Sequence, residues 1–213
     1  MSTTAPPLAP RLRQRRFWTY EELCAEWEET NQPTELLDGH LITAPAPTPF
    51  HQLIAQRLEE ALRRWVNRRG LGVVFHSPLD VVLARDVALQ PDILFIAKQR
   101  RHIIKDYIAG APDLVMEVVS PDRPRRDYKD KKEKYETHGV REYWIVDPRR
   151  KKIEVWTLTT DFYELAGAFS PGEYAASGLL PGFKVRVDDI FAVARTGIGD
   201  RLSKATSRIA APA

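Results

Sequence analysis

The chain has a single cysteine, Cys24, among its 213 residues. One cysteine excludes an internal disulfide and the usual structural zinc sites, which need several thiolates, and it favours a reducing cytoplasmic location. No apolar run reaches the roughly 18 residues that a transmembrane helix requires, and the first residues contain no apolar segment typical of secretory signals. We therefore expect a cytoplasmic protein without a membrane partner.

Glycine-rich phosphate loops are also missing, because neither G-x-G-x-x-G nor G-x-x-x-x-G-K-[ST] occurs. The net charge is only +3, but the basic residues are clustered. Clustered cations suit a polyanionic partner, although a solvated surface explains each single cluster equally well. The clusters are Arg11, Arg13, Arg15 and Arg16; Arg63, Arg64, Arg68 and Arg69; Arg123, Arg125, Arg126, Lys129, Lys131, Lys132 and Lys134; and Arg149, Arg150, Lys151 and Lys152.

Apolar periodicity predicts one domain over residues 17–194, with a disordered basic tail at 1–16 and a flexible tail at 195–213. A capping-box pattern predicts a first helix over 19–30, and the Asp38-Gly39 pair predicts a hairpin turn. Cys24 is interpreted as a buried thiol on that helix. Further helices are predicted over 48–69 and 124–138, and strands near 72–76, 79–84, 92–97, 113–119, 141–147, 152–158, 162–165 and 183–187. This order predicts a mixed α/β fold.

One glutamate, Glu117, interrupts the apolar run LVMEVV of the strand at 113–119. An ionised carboxylate in a dry core is very costly unless it is paired, bound to a metal or protonated. Side chains alternate along strands, so Asp92 and Glu117 would converge if the strands at 92–97 and 113–119 were neighbours. Two close carboxylates repel each other unless a cation separates them, and oxygen ligands suit Mg²⁺. Such a metal can activate water against a phosphodiester.

The segment RRDYKDKKEKYETHG predicts a helix whose apolar stripe consists only of Tyr128 and Tyr135. At about 100° per residue, Lys131 and Lys132 flank this stripe. Asp127 lies four residues before Lys131, and Tyr135 four residues after it, so each can contact the lysine. The buried edge of this helix therefore carries a lysine, unless the helix is simply solvated and anchored by its tyrosines.

Several segments match one family in order and spacing: QPDILF, APDLVMEVVSP, RDYKDKKEKY and HGVREYWIVDP, with ELLDGHLI and FHQLI before them and LPGF after them. Over about residues 20–192 the chain resembles the Uma-type family of bacterial proteins assigned as endonucleases, in the PD-(D/E)XK restriction-endonuclease-like superfamily. The resemblance implies a restriction-endonuclease-like α/β core, with a central mixed sheet flanked by helices and preceded by a helix and hairpin. It also implies an endonuclease that uses Mg²⁺, or Mn²⁺ in its place, on nucleic acid, with DNA favoured.

Carried over by position, the resemblance makes Asp92 and Glu117 metal ligands, with the backbone carbonyl of Val118 as a third oxygen. The superfamily lysine would stand at position 119, which is Val119 here. In the Uma-type pattern the lysine lies on the next helix, which implies Lys131. That lysine would orient the attacking water or hold the scissile phosphate. Lys129 and Lys132 are the alternatives.

Four supporting residues complete the predicted site: Glu35, His51, Asp127 and Tyr135. Glu35 matches an acidic residue that serves the metal or its waters, and His51 contacts phosphate or caps its helix. Asp113 is interpreted as a structural residue at the strand entry. Two other readings stay open: a catalytically inactive module that binds nucleic acid or protein, and a scaffold in which Glu117 is a core ion-pair partner and Asp92 faces solvent. A homodimer is expected only by analogy with the two strands of a duplex.

Overall fold

A computed structural model describes residues 17–26, 33–43, 45–120 and 122–192. The tails predicted at 1–16 and 195–213 lie outside the described residues, as do residues 27–30 at the end of the first predicted helix. The described part has the predicted mixed α/β fold, in which helices flank the main sheet. None of the described helices combines the length and the apolarity needed to cross a bilayer.

The elements follow the chain as α1 (Tyr20–Glu26), β1 (Thr34–Leu37), β2 (His40–Thr43), α2 (Pro49–Arg69), β3 (Gly72–His76), β4 (Val81–Ala84), β5 (Val87–Leu89), β6 (Ile93–Ala97), a 3₁₀ helix (Lys98–Ile103), β7 (Ile108–Ala109), β8 (Leu114–Val118), a π-helical segment (Arg126–Lys131), α3 (Lys132–Thr137), β9 (Glu142–Asp147), β10 (Lys152–Leu158), β11 (Tyr163–Phe169), β12 (Tyr174–Ala176), β13 (Lys184–Arg186) and α4 (Val187–Phe191). The π-helical segment is called the π segment.

The main sheet has six strands in the order β11-β10-β9-β8-β6-β3, and β8 lies near its centre. β8 pairs antiparallel with β6 and parallel with β9. Ile93 pairs with Met116, so Asp92, one residue earlier, comes to lie beside Glu117, one residue later. This pairing confirms that the strands carrying the two acids are neighbours. A smaller sheet, β2-β1-β5-β4-β7, brings Glu35 of β1 to the same region.

The main sheet is buried on both faces at its central strands β6, β8 and β9, which explains why β8 is apolar on both sides. One face packs against α2 through Ile54, Leu58, Leu62 and Val66. The other face contains Val115 and Val119 of the central strand and its continuation, together with Tyr135 and Tyr143. Because side chains alternate, Glu117 shares this second face with Val115 and Val119. Its carboxylate therefore enters a layer that contains two tyrosines.

Local signals account for the confirmed elements. Asp38 and Gly39 have φ values of 50° and 74°, as the predicted hairpin turn requires. Thr48 caps α2, since its Oγ1 accepts the backbone N–H of His51 at 3.2 Å, and Gly70 ends the helix with a φ of 60°. The assignment of His51 as a helix cap is therefore wrong, because Thr48 takes that role.

Other predictions differ from the structure. Cys24 is exposed rather than buried as predicted, and Tyr20 is the only buried residue of α1. The sequence also missed β5, β7 and β12, which have only two or three residues and so carry no recognisable period. The helix predicted over 124–138 contains the π segment before α3.

Asp113 has the structural role expected of it. Its side chain is fully buried at the entry of β8. It accepts the backbone N–H of Ala97 at 2.8 Å and pairs with Arg100 and Arg141 at 3.2 and 3.4 Å. The carboxylate thereby fastens the end of β6 to the beginning of β8, away from the end where Glu117 lies.

We expect Asp113→Ala to lower the free energy of unfolding by about 1–3 kcal/mol, chiefly because the buried N–H of Ala97 loses its acceptor. The two arginines are partly exposed and can regain water, which limits the loss. Urea unfolding would measure the effect, with Asp161→Ala at an exposed position as the control. Equal stability of the two variants would contradict the structural role of Asp113.

Candidate active site

A cleft of about 510 Å³ opens where β8 ends. Its walls come from β1, the first turn of α2, the approach to β6, the end of β8 and the π segment. Every predicted site residue except Tyr135 lines it: Glu35, His51, Asp92, Glu117, Val118, Asp127 and Lys131. Residues far apart in the sequence are thus brought together at one end of the main sheet.

Glu117 is paired on one of its two oxygens. Its Oε1 accepts a hydrogen bond from Lys131 Nζ at 2.8 Å and another from the Tyr135 hydroxyl at 2.7 Å. The three side chains are almost completely buried, with exposed fractions of 2% for Glu117, 5% for Lys131 and 0% for Tyr135. Within the described ranges, Oε2 of Glu117 accepts no hydrogen bond. One oxygen of this carboxylate is therefore held by the protein while the other is free for a ligand.

The pKa of Glu117 is raised to about 8. Burial is the main cause, the Lys131 ammonium acts in the opposite direction, and the negative charge of Asp92 raises the pKa further. Near neutral pH, protons therefore compete with any metal cation for this carboxylate. A cation placed between Asp92 and Glu117 would favour the ionised form.

Asp92 extends the contact between β6 and β8 beyond their last paired residues. Its Oδ2 accepts the backbone N–H of Val118 at 2.8 Å and lies 3.3 Å from Nε2 of His51. The same His51 nitrogen lies 2.9 Å from the Val118 carbonyl oxygen. Since that oxygen can only accept, Nε2 carries the proton and donates. His51 therefore ties the carbonyl of Val118 to the carboxylate of Asp92.

Two opposing effects act on the His51 imidazole. Burial lowers its pKa, but the hydrogen bond and charge of Asp92 outweigh burial and raise the pKa overall. The imidazolium form is therefore favoured next to Asp92.

Glu35 is a second buried carboxylate beside Lys131. Its Oε1 forms an ion pair with Lys131 Nζ at 3.0 Å and accepts the backbone N–H of Gln90 at 2.8 Å, while its other oxygen pairs with Arg126. Lys131 therefore bridges two buried carboxylates. Glu35 acts here as a partner of the lysine, with both oxygens engaged by protein groups.

Asp127 enters the cleft from the π segment. Its Oδ2 accepts the backbone N–H of Ser120 at 3.2 Å, and its backbone carbonyl accepts the Tyr143 hydroxyl at 2.9 Å. Burial is the main cause of its raised pKa, and Lys131 and the Ser120 hydrogen bond act against it. These contacts fix the beginning of the π segment to the end of β8 and to β9.

The structure separates Lys131 from its two alternatives. Lys129 is exposed, and the Lys132 ammonium lies 3.1 Å from the centre of the Trp156 ring, outside the cleft. The scaffold reading required a partner for Glu117 and a solvent-facing Asp92. The partner is present, but the Asp92 side chain is only 15% exposed and is hydrogen-bonded to β8, so the second requirement is not met.

The donor set fits a cation that keeps several waters. Five acidic residues and three arginines or lysines line the cleft, which gives a formal charge of −2 with His51 neutral. In the part of the chain that the structure describes, no three His, Cys, Asp or Glu side chains are arranged to hold a metal. Mg²⁺ is usually bound by one or two carboxylates plus water, so Asp92 and Glu117 suit it better than a metal enclosed by protein ligands.

Sequence reasoning missed two residues of this site, Arg126 and Gln90. Arg126 belongs to a predicted basic cluster, but no pattern linked it to Glu35, about ninety positions earlier. Gln90 acts through its backbone N–H, which no side-chain motif reveals. Its position directly before Pro91-Asp92 is the one signal that could have drawn attention to it.

The comparisons with known proteins agree with the fold and the motifs. The model of the Uma2 family, described as "Putative restriction endonuclease", matches residues 17–188. A crystal structure of a protein from Anabaena variabilis, described as a putative nuclease belonging to DUF820, has a similar fold, with a TM-score of 0.69 and 22% identity over 81% of this chain and 97% of that chain. A search of curated proteins gave no match. This chain therefore belongs to the Uma2 family, as its short motifs predict.

Proposed function

We propose that the protein is a Mg²⁺-dependent endonuclease that hydrolyses phosphodiester bonds in DNA. The observation that carries this proposal is the convergence of Asp92, Glu117 and Lys131 on one cleft. The description of the Uma2 family supports the same reaction class. Mn²⁺ would serve in place of Mg²⁺, since both accept oxygen ligands.

Asp92 and Glu117 would hold the cation through Oδ1 and Oε2, the oxygens that accept no hydrogen bond from described residues. The Val118 carbonyl offers a third oxygen, because a carbonyl has two lone pairs and His51 uses one. The chemistry that such a cation supplies is activation of water and stabilisation of the leaving oxyanion. His51 and Tyr135 would keep the carboxylates and the carbonyl in place.

Lys131 would position the attacking water or the scissile phosphate. An ammonium group has three N–H donors. One is donated to Glu117, and the ammonium also forms an ion pair with Glu35 at 3.0 Å. At least one donor is therefore left for a group in the cleft. Because Glu35 and Glu117 flank the ammonium from β1 and β8, its direction is fixed before any substrate arrives.

A module that binds nucleic acid or protein without cleaving it is the second candidate. It is favoured by the Lys131–Glu117 pair, which already neutralises one acid, and by the lack of a three-residue metal cluster in the described ranges. Metal-dependent cleavage distinguishes the two functions. A cytoplasmic location and a homodimer, which would present one site to each strand of a duplex, complete the proposal, and light scattering would measure the oligomeric state.

Plasmid cleavage with Mg²⁺ or Mn²⁺ tests the two acids. We expect Asp92→Asn and Glu117→Gln each to lower the rate at least about 100-fold, because each removes a metal-binding oxygen charge. Calorimetry should show weaker Mg²⁺ binding by the same variants, with Asp161→Asn as an unaffected control. Cleavage that survives both substitutions would refute the assignment, and absence of Mg²⁺ binding in the wild type would favour the module.

A matched set of lysine variants tests which lysine takes part in catalysis. We expect Lys131→Met to lower cleavage about 10²–10⁴-fold, the range for loss of a group that moves or positions a proton. Lys129→Met and Lys132→Met should stay within about threefold of the wild type, since neither side chain lines the cleft. A loss in the Lys132 variant as large as that in the Lys131 variant would show that the assignment of Lys131 is wrong.

The raised pKa of Glu117 predicts how metal binding depends on pH. Because burial raises the pKa of the Glu117 carboxyl to about 8, protons compete with Mg²⁺ for this carboxylate increasingly as the pH falls below that value. The apparent affinity should therefore rise with pH, by at most about tenfold per unit, and level off above about pH 8. Calorimetry between about pH 6 and 9 would measure the effect, and Glu117→Gln should reduce it to the part that the titration of His51 and Asp127 contributes. A pH-independent affinity in the wild type would contradict the role of Glu117 as a ligand.

A further inference from the structure

The basic turn between β9 and β10 lies at the same end of the main sheet as the cleft. β8 and β9 are parallel, and Val118 pairs with Val146, so the residues after Asp147 emerge where β8 ends. Neighbouring strands lie about 4.8 Å apart and rise about 3.3 Å per residue, which puts Arg149 within about 10–15 Å of Val118. This basic turn, Arg149–Lys151, is thus near the cleft without lining it.

The basic turn is fastened to the π segment by Asp147. Its carboxylate is buried and accepts hydrogen bonds from the backbone N–H groups of Arg149 and Arg150 at 2.8 and 3.0 Å. It also accepts the Tyr128 hydroxyl at 2.9 Å. Tyr128 belongs to the π segment that carries Lys131, so the orientation of the basic turn is fixed relative to the candidate active site.

The three cations of the turn face solvent. Arg150 leans on Asp147 and Tyr128, with 3.7 Å from its Nε to the carboxylate and 5.4 Å from its guanidinium to the ring centre. Arg149 and Lys151 have no ion-pair partner in the described ranges. Arg125 and Lys129, beside Tyr128, are exposed and add to the positive charge, while Asp122 and Asp130 are the acids of the same stretch that are not buried. The exposed surface formed by the basic turn and this stretch therefore has a net positive charge.

We propose that the basic turn binds the phosphate backbone of nucleic acid beside the cleft, an inference that rests on the proposed function for the identity of the polyanion. One strand of a duplex carries a charge every 3.4 Å or so along its axis, so a turn about 10–15 Å away reaches phosphates roughly three or four nucleotides from the bond in the cleft. The turn has no aromatic or aliphatic side chain between Arg149 and Lys151 that could enter a bilayer. The contact would be independent of base sequence.

The test compares two triple variants that remove equal charge. The first is Arg149→Gln, Arg150→Gln and Lys151→Asn, where Asn tolerates the left-handed backbone at position 151, whose φ is 48°. The control is Arg68→Gln, Lys98→Gln and Arg101→Gln, which neutralises three exposed cations near the opposite end of the main sheet. Thermal unfolding would verify that both variants fold.

Binding of a fluorescent DNA duplex would be measured by anisotropy in EDTA, which prevents metal-dependent cleavage, between about 50 and 200 mM salt. In the turn variant we expect the slope of log affinity against log salt to fall by about 2–3, and the affinity at the lowest salt to fall at least tenfold. The control variant should keep the wild-type slope to within about one.

An unchanged slope in the turn variant, or equal losses in both variants, would overturn the inference. If the wild type cleaves DNA and the turn variant binds the duplex as tightly as the wild type does, the inference about the basic turn is overturned and the proposed function stands. If the wild type does not cleave DNA and the turn variant loses duplex binding, the result supports phosphate binding by the basic turn and contradicts the proposed endonuclease activity. Loss of binding to anionic vesicles, with duplex binding intact, would overturn the inference in favour of a membrane surface.

Discussion

The buried ion pair between Lys131 and Glu117 is the interaction on which the site depends. Withdrawing two charges from water is costly, and their attraction offsets that cost only when further hydrogen bonds satisfy the remaining atoms. Tyr135 supplies one such bond to Glu117, and Glu35 supplies a second partner to Lys131. The pair therefore requires that β1, β8, the π segment and α3 all be in place. Through Lys131, β1 of the smaller sheet is thereby linked to β8 of the main sheet.

The position of the lysine follows from the packing of β8. Val119, at the position where a Glu-x-Lys strand would carry the lysine, is buried among apolar side chains on the same face as Glu117. A lysine there would have to share that apolar layer. Supplied from the π segment, Lys131 instead approaches the carboxylate across the layer. Asp92 and Glu117 are therefore supplied by the central strands, and the lysine by the π segment.

The alternation of side chains along strands made Asp92 and Glu117 predictable from the sequence. The hydrogen bonds and ion pairs around them were not predictable in this way. Asp92 and Glu117 follow from the two-residue period of two apolar strands and from the neighbourhood of those strands. The contacts of Lys131 with Glu35, and of Glu35 with Arg126, join positions about ninety residues apart, and no local pattern encodes such a distance. The π segment adds to the difficulty, because a wider turn changes which side chains share a face. The placement of an exposed basic turn outside a cleft whose lining is net negative is likewise revealed only by the three-dimensional fold.

The two halves of the cleft belong to parts of the molecule that differ in how firmly they are held. Asp92 and Glu117 come from adjacent strands buried on both faces, a region of the kind that opens only when a protein unfolds globally. Asp127 and Lys131 come from a short π-helical stretch, where Asp127 accepts hydrogen bonds from the Ser120 backbone N–H and the Tyr143 hydroxyl and Lys131 donates one to Glu117. Local unfolding of that stretch would withdraw the lysine and leave the two strand acids in register. The stability of one helical turn therefore sets how often both halves of the cleft are assembled at the same time.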